Sequence, residues 1–269
     1  MAGMKQVGAA GDNGGIGFVP RGIIFDVDDT LLDNYPATSD LGLHEQARLL
    51  ALREIGDKRG IPALASIDRE INRDIIKRSK EHTINGSVWQ LFYELGLVDS
   101  DIIDPSDPLL HEIVARKHQL YDPVLKEFGV PLPQAVEFVK AVYILTDGHI
   151  AIASGAQYPN IITFLEMTGL DEYFLPEHII CHQHITNAKP DPEAFDRAFK
   201  TLGLPDTDRS HVVAFEDDPK GIKSAKSAGL YVAAITSRYT HSELASSNPA
   251  PDIIRASYSE FAEAFGFSL

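Results

Sequence analysis

Gly22-Ile23-Ile24-Phe25-Asp26-Val27-Asp28 is the stretch whose reading decides the fold. A short apolar run passes straight into acids, the pattern of a buried strand whose carboxyl end meets solvent. Upstream, residues 1–20 are rich in Gly and lack any apolar period, so a flexible tail is expected there. Gly15-Ile16-Gly17 is not read as a dinucleotide turn, because no strand precedes it and Pro20 follows. Downstream, from about residue 40 to 128, the apolar spacing becomes helical. Leu43, Ala47, Leu50 and Ile55 mark one stripe, Ile67, Ile71 and Ile75 a second, and Val88, Leu91, Phe92 and Leu95 a third. Strands then alternate with helices: strands at 149–153, 178–181, 212–215, 231–235 and 252–254, and helices near 159–168, 192–202 and 219–228. Such alternation implies parallel strands with helices on both faces. The expected architecture is α/β: a doubly wound, Rossmann-like parallel-sheet core, 21–34 with 132–269, and an inserted helical domain over 35–131. Asp33-Asn34 and Pro131–Pro133 are the expected linkers.

The 269 residues carry 39 acidic and 24 basic side chains, a formal net charge of −15. That field repels nucleic-acid backbones and anionic membranes, and no Lys/Arg cluster reverses it locally. Neither partner is expected, and a small anionic substrate would need a local cation. The single cysteine, Cys181, cannot form an intramolecular disulfide. No apolar run is long enough to span a bilayer, and the N-terminus lacks a secretory pattern. A cytoplasmic protein, monomeric or a small homo-oligomer, is the expectation.

Ligands of open parallel sheets sit at the carboxyl ends of the strands. Those ends carry Asp26-Val27-Asp28-Asp29-Thr30, Ser154-Gly155 and Glu216-Asp217-Asp218, and a loop before a helix carries Lys189-Pro190. If they converge, carboxylates repel at about 4 kcal/mol per pair at ~4 Å and an effective dielectric near ~20. A divalent cation removes that penalty, and oxygen-only ligands suit Mg²⁺.

These pieces, in this order, resemble the haloacid dehalogenase superfamily. Asp26-x-Asp28-x-Thr30-Leu31 follows its hydrophobic strand, then come Ser154, Lys189-Pro190 and Glu216-Asp217. Phe215-Glu216-Asp217-Asp218-Pro219-Lys220-Gly221-Ile222, continuing to Ala228-Gly229, is similar to the subgroup containing β-phosphoglucomutase and phosphoglycolate phosphatase. The helical block between the first two motifs matches that family's mobile cap. The resemblance implies an Mg²⁺-dependent phosphatase acting on a small phosphorylated metabolite through an aspartyl-phosphate. It makes Asp26 the nucleophile, Asp28 the general acid and base, Ser154 and Gly155 phosphate contacts, and Lys189 the neutralising cation. It places the metal on Asp26, the Asp28 carbonyl and Asp217, with Glu216 acting through water. Asp29 stands where glycine is commoner, and Asp218 adds an acid that could shift the metal register by one.

Within the resemblance, Asp28 argues against dehalogenases and phosphonatases, which depart at that position. A phosphomutase shares the same core residues and is the alternative, and an inactive binding relative is a further one. Asn85-Gly86-Ser87, between two cap helices, is where a substrate-binding specificity loop is expected, joined by Lys80 or His82. Cys181, His182 and His184 offer soft ligands but lack a zinc-site partner elsewhere. No G-x-S-x-G turn supports a serine hydrolase.

Overall fold

The computed structural model describes residues 15–81 and 83–269. The chain divides into two compact units, one running up to Asp33 and resuming over Val130–Leu269, the other spanning Asn34–Gly129.

The first unit is built on eight strands: β1 (Gly22–Phe25), β2 (Leu32–Asp33), β3 (Val130–Pro131), β4 (Ile150–Ala153), β5 (Ile179–Ile180), β6 (Val212–Glu216), β7 (Tyr231–Ile235) and β8 (Ile253–Arg255). Six form a wholly parallel sheet in the order β5-β4-β1-β6-β7-β8. The chain leaves β1 in one direction for β4 and β5, then crosses back to β6. The topological switch point therefore lies beside β1, where ligands of doubly wound sheets bind. β2 and β3 pair antiparallel in a two-residue ribbon at the division between the units. Strands this short carry little periodicity, and of their four residues Asp33 and Pro131 fall in the expected linkers.

The period-2 geometry of the strands sends alternate residues to opposite faces. Ile24, Ala151, Ala214, Val232 and Ala234 pack on Phe195, Phe199, Ile222 and Ala225. Phe25 and Phe215 stack at 5.1 Å on the other face and meet the ring of Phe138, and Phe215 meets Phe261 edge-on. Such aromatic pairs prefer these offset and edge geometries.

Eleven helices are described. The helical unit holds α1 (Leu43–Arg59), α2 (Pro62–Ala65), α3 (Arg69–Arg78), α4 (Ile84–Glu94) and α5 (Pro108–Phe128). The core unit holds α6 (Ala135–Leu145), α7 (Tyr158–Thr168), α8 (Glu193–Thr201), α9 (Pro219–Ser227), α10 (His241–Ala245) and α11 (Tyr258–Ala264). α6 was not anticipated, although Ala135, Phe138, Val139 and Val142 stand at helical spacing and are buried.

The structure departs from expectation in three places. Residues 1–14 of the expected tail lie outside the described residues, and within 15–20 Ile16 and Pro20 are buried and Phe18 is half-buried. Ile16 is buried with its N–H on the Ala264 carbonyl, and Phe18 meets His211 and Tyr231 edge-on, since each apolar side chain gains by leaving water. In the helical unit, Leu50 and Ile71 are exposed. α1 keeps Leu43, Ala47 and Ile55 inward as expected and adds Leu49 and Leu52 in place of Leu50. On α3 the inward place beside Ile75 goes to Asn72, which accepts from Arg48 Nε and donates to the Glu45 carbonyl, each at 2.9 Å. A buried guanidinium needs such partners, so a polar side chain displaces an apolar one. Finally, Asn85-Gly86-Ser87 is no loop. It forms the first turn of α4, nucleated by Thr83, whose hydroxyl caps the Gly86 N–H at 3.0 Å. No described helix is long and apolar enough to cross a membrane.

Candidate active site

Strand register alone gathers most of the acids. Phe25 is paired with both Ile152 and Phe215, which sets Asp26 level with Ala153 on one side and Glu216 on the other. The Asp26 N–H donates to the Phe215 carbonyl at 3.0 Å, locking that level. Ser154 and Asp217 follow one residue further along.

Lys189 arrives on the loop between β5 and α8, which is pinned on both sides. Glu193 accepts the N–H groups of Thr186 and Asn187 at 2.9 and 2.8 Å, and Ser224 Oγ donates to the Asp191 carbonyl at 2.6 Å. The pinned loop delivers Lys189 Nζ to 2.6 Å from both Asp26 Oδ1 and Glu216 Oε1. The ammonium also lies 4.7 Å from the centre of the Phe195 ring. Glu216 is nearly inaccessible, and its other oxygen accepts the N–H groups of Asp217 and Asp218 at 3.1 and 3.3 Å. Glu216 thus acts here mainly as an anchor for Lys189.

Burial pushes the Asp26 carboxyl well above its ordinary value, with Lys189 opposing and Glu216 and Asp28 adding to the rise. Burial likewise raises Asp217, helped by Glu216 and Asp26. For Lys189, burial pulls the ammonium down, but Asp26 and Glu216 together outweigh it and hold the group above its usual range.

Asp217 accepts from the buried Thr30 hydroxyl at 3.3 Å. Asp218 is committed elsewhere: it caps α9 through the Lys220 N–H at 2.7 Å and accepts from the Tyr239 hydroxyl at 3.3 Å. Asp28 lines the same cleft as Asp26, Lys189 and Asp217, a space of about 230 Å³. Asp29 adopts φ 57°, the left-handed conformation that glycine takes freely and that Asp tolerates better than most residues. Ser154 is buried, and its Oγ accepts the Ala156 N–H at 3.1 Å; its neighbour Gly155 lines the cleft. Asn85, Gly86 and Ser87 belong to the helical unit, where Asn85 is exposed and Ser87 is buried, donating to the Ile84 carbonyl at 2.9 Å. Lys80 pairs with Asp101, and His82 lies outside the described residues.

Asp26, Glu216 and Asp217 each offer a carboxylate oxygen within 4.8 Å of the others, and all three are buried. An all-oxygen, anionic, water-poor donor set fits a hard divalent cation, which would also offset the repulsion that burial intensifies.

Several contributors escaped the sequence reading. A Cβ at Gly221 would stand 1.9–2.2 Å from the Glu216 carboxylate, so only glycine lets α9 pass over that side chain. Ser237 Oγ donates to the Asp29 carbonyl, and Arg238 lines the cleft. Tyr258 donates to the Thr30 carbonyl at 2.8 Å, bracing the acidic loop from beneath. The glycine stood inside a quoted motif, but nothing in the sequence said which side chain lay over it.

The haloacid dehalogenase-like hydrolase family matches residues 20–229. The chain is 25% identical over 210 residues to the fructose-1-phosphate phosphatase of Escherichia coli strain K12, covering 78% of this chain and 93% of that one. It is 25% identical over 183 residues to glycerol-1-phosphate phosphohydrolase 1 of Saccharomyces cerevisiae, covering 66% of this chain and 70% of that one. A crystal structure of a family IA, variant 3 hydrolase from Entamoeba histolytica superposes with a TM-score of 0.67 at 23% identity, covering 91% of this chain and 98% of that one. With the family match running through the strand that carries Asp26, the Lys189 loop and the Glu216-Asp217 strand end, this chain belongs to the haloacid dehalogenase-like hydrolases.

Proposed function

We propose that this hydrolase removes the phosphoryl group from a small phosphate monoester, with the Asp26 carboxylate as its nucleophile. The observation that carries the reading is the buried Lys189 ammonium, 2.6 Å from both Asp26 and Glu216, beside the Asp217 carboxylate. The matched relatives are phosphatases of a sugar monophosphate and a polyol monophosphate, which supports the same substrate class here.

In the first half-reaction an Asp26 oxygen bonds phosphorus as the ester P–O bond breaks, and Asp28 gives its proton to the leaving oxygen. In the second, Asp28 takes a proton from a water that attacks phosphorus, releasing phosphate and restoring the Asp26 carboxylate. Lys189 holds Asp26 in place and offsets negative charge through both halves. Ser154 can donate its hydroxyl hydrogen to a phosphoryl oxygen, since its Oγ already accepts from Ala156. Mg²⁺, held by Asp26, Asp217 and the Asp28 carbonyl with Glu216 behind them, would neutralise charge between nucleophile and phosphate. Tested on a panel of sugar, polyol and carboxylate monophosphates, the enzyme should release phosphate with Mg²⁺ and stop with EDTA. Equal phosphate release with and without chelator would sink the metal assignment, and no release from any ester would sink the reaction.

The raised carboxyls set a pH dependence. Mg²⁺ must displace protons that Asp26 and Asp217 keep above the ordinary carboxylate range. Affinity for Mg²⁺ should therefore weaken as pH falls, by about tenfold per pH unit for each proton displaced. The same shifts mean that the metal-free folded state binds more protons than the unfolded chain above the unfolded carboxyl pKa. Stability of the metal-free protein then falls as pH rises through that window, and Mg²⁺ should raise Tm more at pH 8 than at pH 5. Calorimetric titration and thermal melts at several pH values check both statements.

Gly221→Ala forces the Glu216 carboxylate aside, and Lys189 with it. Overpacking of this kind costs about 1–3 kcal/mol, and the displaced ammonium should lower kcat/KM on the order of 10²-fold. Melting curves and steady-state kinetics of the variant measure the two effects separately.

A further inference from the structure

Lys189 is the only cation that the motifs assign to the site, yet its ammonium is already bracketed by two carboxylates at 2.6 Å each. Two further cations line the cleft, Lys220 and Arg238. Lys220 is an exposed, flexible point charge on the first turn of α9. Arg238 is held differently. It follows β7 on a short loop fastened to both acidic segments: Ser237 Oγ donates to the Asp29 carbonyl, and Tyr239 donates to Asp218 at 3.3 Å. Its guanidinium lies 5.6 Å from the centre of the Tyr239 ring and is ion-paired with Asp29, Nη1 to Oδ2 3.9 Å.

Exposure ranks the depth of these groups. The side chain of Asp26 is 9% exposed, that of Lys189 15% and that of Arg238 44%. A phosphoryl group on Asp26 sits at the bottom of that order, so what reaches the level of Arg238 is the part of the substrate projecting outward from phosphorus. Resting on the phosphatase reading, we propose that Arg238 is a specificity-determining residue, whose planar fork of N–H donors binds acceptor oxygens on the leaving group. The chemical class selected is an oxygen-rich alcohol, a polyol or sugar, over a hydrocarbon alcohol of similar size. The rigid loop and the ring beneath the guanidinium pre-organise those donors, which a freely rotating lysine would not do.

The test compares kcat/KM for glycerol 1-phosphate or fructose 1-phosphate with that for phenyl phosphate, whose leaving group bears no oxygen beyond the ester atom. Arg238→Ala should lower the ratio of polyol to phenyl kcat/KM by about tenfold, the equivalent of one charge-assisted hydrogen bond. The loss should fall on KM for the polyol ester, and Arg238→Lys should recover only part of the ratio. An unchanged ratio in Arg238→Ala overturns the proposal. So does an equal fall for both esters, which would show that Arg238 acts on the phosphoryl group or through Asp29. Those outcomes leave the phosphatase reading standing, whereas a wild-type enzyme that cleaves none of these esters overturns both.

Discussion

Asp26→Asn is expected to lower kcat for every phosphate ester by on the order of 10⁴-fold or more, leaving the chain folded. The amide is the same size and keeps the side chain at the end of β1, but it lacks the charge needed to displace an alkoxide from phosphorus. Folding survives because Lys189 retains Glu216 as a partner at 2.6 Å. The change also removes an ionised group that burial disfavours. Mg²⁺ affinity should fall at the same time, since one of the three close carboxylates is gone. Kinetics beside circular dichroism and magnesium titration separate these effects. If Asp26→Asn retained a tenth of wild-type turnover, the nucleophile would lie elsewhere.

Lys189→Ala carries the second large effect, and it acts on fold and chemistry together. Asp26 and Glu216 would remain buried without their shared cation, a loss of about 3–5 kcal/mol when one member of a buried ion pair is removed. Asp26, no longer opposed by the ammonium, would then hold its proton more tightly, so the folded state gains protons relative to the unfolded chain. The destabilisation should accordingly be larger at pH 8 than at pH 5, and saturating Mg²⁺ should restore part of it. Turnover should fall on the order of 10³-fold even with the metal present, because the phosphoryl charge loses its nearest ammonium. Denaturant melts at the two pH values and steady-state kinetics check these outcomes.

The sheet was legible because its strands are nearly continuous apolar runs bounded by acids or turn residues, as at Ile23-Ile24-Phe25-Asp26 and Val212 through Glu216. The strand register that sets Asp26 level with Glu216 was not, since pairing offsets depend on packing between segments far apart in the chain. Helical character of the 43–128 block was clear and most of its inward positions were placed correctly, but Leu50 and Ile71 were not. An Arg48-Asn72 pair buried among apolar helices inverts the pattern that hydropathy alone can read. α6 was overlooked despite a regular period, and the two-residue strands β2 and β3 are too short to show one. At the site, Asp26, Lys189, Glu216 and Asp217 could be named from type and position. Arg238 could not, for an arginine after a strand is ordinary until Ser237 and Tyr239 are seen tying its loop to the acids. Ser87 shows the reverse error: its place between expected helices suggested a loop, but the Thr83 cap extends α4 over it.

The central claim is that Asp26 itself becomes phosphorylated. A single turnover with a slowly hydrolysed substrate and Mg²⁺, quenched in acid and mapped by peptide mass spectrometry, tests it directly. The account predicts one phosphoryl group on the peptide containing Asp26, formed as fast as the first alcohol is released and absent in Asp26→Asn. Alcohol release at the normal rate with that peptide unmodified at every quench time, or with the phosphoryl group on a different residue, would contradict it.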